Sequence, residues 1–299
     1  MRSGRVATLR KPEPRAAIRS TWYDAWLRFQ RNTLAVFGLF LIVCYFGLAI
    51  GADALAPYSF SKFDFNQMSS EPTYEHFLGT DSLGRDMLSL LMYGSRVSMA
   101  VGLIVPAAAL LIGLPIGIVA GYVGGRLDAL LMRITDAVMS LPSILLTMVL
   151  VVSFGRTLWT VIFALGILNW PQLARIVRVE TMRLRNTEFV LGARAIGASP
   201  TQIILDHILP NLMGPIVVTT AILIPTMIVE EATLTFLNIG VEVTAVPSWA
   251  QLIRSEYQGL FSRPTLVLMP ALAISFLTLA FSFVGDGLRD ALDPRLTRR

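Results

Sequence analysis

The side chains able to do covalent or metal chemistry are few: two histidines, one cysteine and two lysines among 299 residues. His76 and His207 both lie outside the apolar runs. A histidine base for an intramembrane protease and a histidine-rich zinc site are therefore unsupported. Cys44 lies inside an apolar run and, being alone, makes neither an intrachain disulfide nor a cysteine metal site. Lys11 and Lys62 follow Arg10 and Ser61, so no Gly-Lys pair exists. A phosphate-binding P-loop needs lysine after glycine, and this chain is not expected to hydrolyse ATP by itself. No catalytic residue, cofactor or metal ligand is assigned to it. The most informative charges are Glu230 and Glu231, inside an apolar run. An ionisable residue within a membrane span is costly and faces the bundle interior, a pore or a partner. The pair reads either as pore-lining or gating groups, or as structural caps about 27 Å along a helix starting near Leu212, close to its outer boundary. Helical neighbours point about 100° apart, so the two cannot share one direction. Asp136 and Asp286, at the ends of runs, read as solvated or paired structural charges.

The elements that would position these residues are membrane spans. Hydrophobic residues make up 54% of the chain and charged residues only 15%, with mean hydropathy +0.64. Soluble domains carry roughly 25% charge. The net charge of +5 does not indicate nucleic acid, because the basic residues are spread around apolar runs instead of forming one patch. Apolar runs occupy 34–52, 97–122, 137–154, 157–176, 212–237 and 265–284. A span needs about 20 such residues. The first run exceeds a signal-peptide core and follows a long basic region, which favours a retained anchor. Residues 20–31 read either as an amphipathic helix on the membrane surface or as a short helix leading into the first span. Thr80 or Asp81 is expected to cap an amphipathic segment before the second span. A charged turn follows the second span, and Pro142 falls inside the third. Six spans put both termini on one side. Of the 25 Lys and Arg residues, 19 lie on that side and 6 opposite, which makes the termini cytoplasmic. The expected organisation is a cytoplasmic segment 1–33, a first transmembrane helix 34–56, an extracytoplasmic segment 57–96, a five-helix core 97–286 and a cytoplasmic tail 287–299.

Between the fourth and fifth runs, residues 187–211 carry their own helical pattern. Asn186 is the expected cap, and Glu188 suits the positive end of the helix dipole. Phe189, Ala193 and Ile196 fall on one face, and Gly197 ends the helix. Ser199-Pro200-Thr201-Gln202 reads as a capping box with proline at the first helical position. Pro210 is expected to stop the second helix. The segment reads as a cytoplasmic docking element for a separate protein.

Several stretches together resemble the permease subunits of ATP-binding-cassette importers of the dipeptide, oligopeptide and nickel family, in particular the C-type subunit. His76-Phe77-Leu78-Gly79-Thr80-Asp81-Ser82-Leu83-Gly84-Arg85-Asp86 resembles the segment HPLGTDxLGRD, with Phe77 in place of proline. Residues 121–136 with Pro142, then Pro247-Ser248-Trp249, and finally residues 285–295 resemble further family segments. Residues 187–211 resemble the "EAA" loop, which docks on the ATPase. Its triplet aligns with Leu191, Gly192 and Ala193, its glycine with Gly197, and its Leu-Pro ending with Leu209-Pro210. The glutamate of the triplet is replaced by Leu191.

The resemblance implies an all-α membrane protein of six transmembrane helices with the type I ABC importer permease fold, in the inner or plasma membrane. It implies a second homologous permease subunit, two cytoplasmic ATPase subunits that use ATP and magnesium, and an extracytoplasmic substrate-binding protein. Peptides are the implied substrate, with nickel, glutathione or another small solute as alternatives. The expected docking residues are Glu188, Gly192, Ala193, Ala195, Ile196, Gly197, Ala198 and Pro210, of which Gly192, Ala193, Gly197 and Pro210 align with the family motif. A stand-alone secondary transporter or channel is the competing class. It predicts inverted repeats and charge pairs at mid-membrane, neither of which is visible in the sequence.

Overall fold

The computed structural model describes residues 21–242 and 247–292. The basic residues before position 21 and the final Asp293-Pro294-Arg295 of the C-terminal signature lie outside the described residues. The described residues form a helical bundle. Helix α1 (Thr21–Arg31) precedes α2 (Thr33–Leu55), whose first turn is capped by the Asn32 side chain. Ala25 and Phe29 of α1 are buried with Ala35 and Ala291, while Tyr23 and Trp26 are exposed. Of the segment 20–31, the described residues Thr21–Arg31 are thus a separate amphipathic helix laid against the bundle.

Helix α3 (Met87–Val123) is longer than its apolar run, spanning 37 residues through Pro106 and Pro115. The amphipathic segment expected ahead of the second span is its first turns. Its cap is Asp86, whose carboxylate accepts the Ser89 N–H at 2.8 Å, and not Thr80 or Asp81. The expected charged turn is also helical. Residues Gly125–Met139 form α4, anchored to α6 (Leu158–Arg185) by Arg178 on Asp128 and by Arg175 on Asp136, the latter at 2.5 Å. Asp136 therefore has the paired structural role expected of it. The third run is not one straight span. Helix α4 and α5 (Ser143–Phe154) meet at 77° across Leu141-Pro142, because proline lacks the N–H and disfavours a helical residue before it. With that bent pair counted once, the described residues hold up to six spans. Helix α6 runs past the predicted end near Ile176 to Arg185, so the arginines 175, 178, 183 and 185 extend a helix.

The tightest pairing is α3 on α6. Gly113, Gly117 and Gly121 recur every fourth residue, and a Cβ on them would come within 2.8, 2.6 and 2.6 Å of the Trp170, Ala174 and Arg178 carbonyl oxygens. Small residues at this spacing let two membrane helices approach backbone to backbone. Helix α7 (Glu188–Ala195) follows, then α8 (Pro200–Gln202), a π-helical turn Ile203–Ile208 and α9 (Leu209–Phe236), which run on as one helical stretch Pro200–Phe236. Helix α10 (Trp249–Glu256) and α11 (Pro264–Leu292) complete the described chain, with α11 packed against α2 and α9.

Candidate functional site

The segment after α6 is built in two layers. Thr187, not Asn186, is the N-cap of α7, and its hydroxyl donates back to the Leu184 carbonyl. Asn186 instead ends α6. Val190 and Ala193 turn inward and pack with Leu184, Ile203, Ile208 and Leu212. Glu188, Gly192, Ala195 and Ile196 lie at i, i+4, i+7 and i+8 and are all exposed, Ile196 at 87%. The face expected to hold Phe189, Ala193 and Ile196 together is therefore split. Ala193 is 7% exposed and holds α7 to the bundle, so it does not belong to the outward surface. Leu191 is exposed beside Gly192. A Cβ on Gly192 or Gly197 would meet nothing within 4 Å, so the outer side of the turn is open. Ile196 closes α7, and Gly197 follows at φ +89°, a conformation that favours glycine. Ala198 is half-buried.

The Ser199–Gln202 capping box forms as expected, with the serine hydroxyl and the glutamine carbonyl each accepting a backbone N–H. Pro210 does not stop the helix. It lacks the N–H that would bond the Asp206 carbonyl, and the chain absorbs this by widening. The Leu209 N–H reaches back five residues to Ile204 instead of four. A π turn before a proline keeps the helix continuous. Pro210 itself is exposed. His207 is half-buried, its ring 6.4 Å from that of Phe189.

The two glutamates of α9 diverge. Glu231 is 1% exposed, and its carboxylate accepts the Thr235 hydroxyl at 2.8 Å. That is a structural contact within one helix. Glu230 lines a cavity of about 350 Å³ formed at the α4–α5 bend by Val138, Leu141, Pro142 and Ser143, and on α6 by Asn169 and Gln172. Its carboxylate accepts one long hydrogen bond, from the Asn169 amide at 3.4 Å.

At the opposite end of the bundle, the segment Thr80–Asp86 is a buried polar network. The Asp81 carboxylate accepts the backbone N–H groups of Leu83 and Arg85 at 2.9 and 2.8 Å, and holds the Arg85 guanidinium at 2.7 Å. His76 Nδ1 lies 2.9 Å from Asp86, which also takes the Ser89 hydroxyl at 2.7 Å. Gly84 sits at φ +72°, where a Cβ would collide with the Asp64 carbonyl. The Ser82 N–H donates to Glu256 at 3.0 Å, and Trp249 Nε1 donates to the Leu91 carbonyl at 2.8 Å over Gly94. Helix α10 is thereby tied to α3.

Known proteins share both the sequence and this architecture. Residues 113–298 match the family described as the binding-protein-dependent transport system inner membrane component. This chain belongs to that family. Residues 20–72 match the N-terminal transmembrane domain of oligopeptide transport permease C. The dipeptide transport system permease protein of Alkalihalophilus pseudofirmus is 37% identical over 285 residues, 95% of this chain and 93% of that protein. The oligopeptide transport system permease protein of Bacillus subtilis is 38% identical, over 93% of this chain and 91% of that protein. The glutathione transport system permease protein of Pectobacterium atrosepticum is 35% identical, over 94% and 93%. A solved inward-facing structure of the MetNI methionine ABC transporter covers 69% of this chain and 98% of that chain, at TM-score 0.58 and 21% identity. That last likeness is one of fold.

The chain is thus a multi-pass inner-membrane permease subunit of a binding-protein-dependent importer. In this permease the sequence reading missed three features. The Gly113-Gly117-Gly121 stripe was legible as small residues every fourth position inside an apolar run. The polar network of residues 76–89 was met only as a helix cap at Thr80 or Asp81 and as a family likeness, although its density of Asp, Arg and Thr beside glycines signals a folded loop. Asn169, a polar residue in the fourth run, carries no such signal, and only its neighbour across the bundle gives it a role.

Proposed function

We propose that this permease forms half of the translocation path of an ATP-driven peptide importer, pairing with a second homologous permease, two cytoplasmic ATPase subunits and an extracytoplasmic substrate-binding protein. Its relatives are named for dipeptide, oligopeptide and glutathione transport, and glutathione is itself a small peptide. The observation that carries the mechanism is the two-layered α7 segment. Its inner face is welded to α6 and α9 through Val190, Ala193, Ile203 and Leu212, while Glu188, Gly192, Ala195 and Ile196 are open to a partner. A force applied to that outer face is transmitted to two spans at once. ATP-driven closure of the ATPases moves α7 on both permeases and switches the path between inward and outward access. The excess of Lys and Arg on the α7 side supports a cytoplasmic location for this segment and for both termini.

The test is reconstitution. The four-component complex in proteoliposomes is expected to accumulate a labelled dipeptide only with ATP and the binding protein. Uptake by the purified chain alone would make it a stand-alone transporter. In a Cys44→Ser background, Ala195→Cys is expected to crosslink to a cysteine on the ATPase. An active complex that forms no crosslink from any position between 189 and 199 removes the docking assignment.

A further inference from the structure

We infer that Glu230, with Asn169 and Gln172, forms a site in the translocation path for the positively charged ammonium group of a passing substrate. The inference rests on the function proposed above and adds to it a recognition step within the membrane. The cavity at the α4–α5 bend is walled by apolar groups, Val138, Leu141 and Pro142 among them, and its polar side chains are the Glu230 carboxylate, the Asn169 and Gln172 carboxamides and the Ser143 hydroxyl. Glu230 lies within a span, about 9 Å before the end of α9 at 1.5 Å per residue, and is half-buried. A carboxylate so placed needs a partner. Among the described residues, none of the ion pairs includes Glu230. Its one hydrogen bond is long, and the Asn169 amide that donates it also bonds the Leu165 carbonyl at 2.9 Å. Glu230 therefore keeps most of its acceptor capacity directed at the cavity.

The neighbouring Glu231 supplies the contrast. It is the same residue type, one position away, and is satisfied inside its own helix by Thr235. The structure solves the burial problem for one carboxylate and leaves the other open to a cavity of ligand size. A metal cation is the poorer occupant, since the described residues contain no group of three or more His, Cys, Asp or Glu placed to hold one. An ammonium group needs only a carboxylate and carbonyl oxygens, which the Glu230 carboxylate and the two amide oxygens supply. A free α-ammonium group is also common to dipeptides, oligopeptides and glutathione.

The test reads the cavity's charge directly. The assembled importer carries Cys44→Ser and Ser143→Cys on the cavity wall, with Met139→Cys as a second reporter if the first does not assemble. Thiol labelling is timed with the cationic 2-aminoethyl and the anionic 2-sulfonatoethyl methanethiosulfonates. Removing the charge with Glu230→Gln is expected to lower the ratio of cationic to anionic rate by about tenfold. A free dipeptide is expected to slow cationic labelling in the Glu230 protein, and its N-acetylated form is not. A ratio unmoved by Glu230→Gln, or equal protection by the two peptides, overturns the inference. ATP-dependent dipeptide uptake by the Glu230 protein is measured on the same preparation. If that uptake is absent, the peptide-importer reading fails and this site's substrate with it. If uptake is present and the labelling ratio is flat, only the inference fails.

Discussion

The two ends of this permease solve opposite problems. At one end, residues 76–89 spend their charges on each other. Asp81 holds Arg85, Asp86 holds His76 and Ser89, and all five side chains are buried or nearly so. At the other end, α7 spends its apolar residues in two directions. Val190 and Ala193 go inward, and Leu191 and Ile196 are left facing out. A polar network of this kind satisfies its own charges and hydrogen bonds. A small helix with an unpartnered apolar face has a surface to offer. The difference teaches that a dense run of charges can be wholly structural, as in residues 76–89, while a short helix with few charges can leave apolar side chains exposed, as in α7.

The largest effect should come from breaking the polar network. Asp81→Ala leaves the Arg85 guanidinium buried without its carboxylate and orphans two backbone N–H groups. A loss of about 3 kcal/mol or more is expected, read as a lower midpoint in thermal unfolding of the detergent-solubilised protein. Glu188→Ala, an exposed charge on α7, should shift the same midpoint very little, within about 0.5 kcal/mol. Equal shifts for the two would erase the contrast between the ends.

Next comes the scaffold that joins them. Gly117→Val places a side chain against the Ala174 carbonyl and Val177. Forced separation of α3 and α6 should cost about 1–3 kcal/mol, seen as reduced yield of folded protein. Gly192→Val, whose Cβ meets nothing within 4 Å, should fold normally.

The proposed contact surface is sharpened by Ile196→Asp. Thermal unfolding should be nearly unchanged, because Ile196 is 87% exposed. Association with the ATPase should weaken about tenfold, the loss expected for one central apolar contact. Measured by co-purification at graded ATPase concentration, unchanged association would move the docking surface off α7. The smallest effect is expected for Ser199→Ala, which removes half of the capping box at the start of the Pro200–Phe236 stretch. The expected loss is about 1 kcal/mol, and faster amide exchange at Gln202 is its local signature.

Much of this was legible before any fold was known. The apolar runs had to become helices in a membrane, since no other open-chain structure satisfies every backbone group there. The capping box at Ser199 is a local pattern and formed as read. Boundaries set by chain continuity were less legible. Nothing local distinguishes an arginine-bearing turn from an arginine-bearing helix, so α6 ran on to Arg185 and the segment 125–139 became a helix paired to it through Asp128 and Asp136. Pro210 read as a stop because proline lacks a donor, yet a single wide turn absorbed that loss.

What the sequence by itself determined is the class of protein: a bundle of spans, with no Gly-Lys pair for a phosphate-binding P-loop and one interruption between spans carrying its own helical pattern. Only the tertiary structure decided which way side chains point. Ala193 and Ala195 differ by two positions on one short helix, and packing alone assigned the first to the core and the second to the surface. Glu230 and Glu231 are chemically identical neighbours. The 100° between them on a helix sent one to Thr235 and the other to a cavity whose far wall, at Pro142, is some ninety residues away in the chain. Orientation of that kind depends on the whole bundle, and no local pattern encodes it.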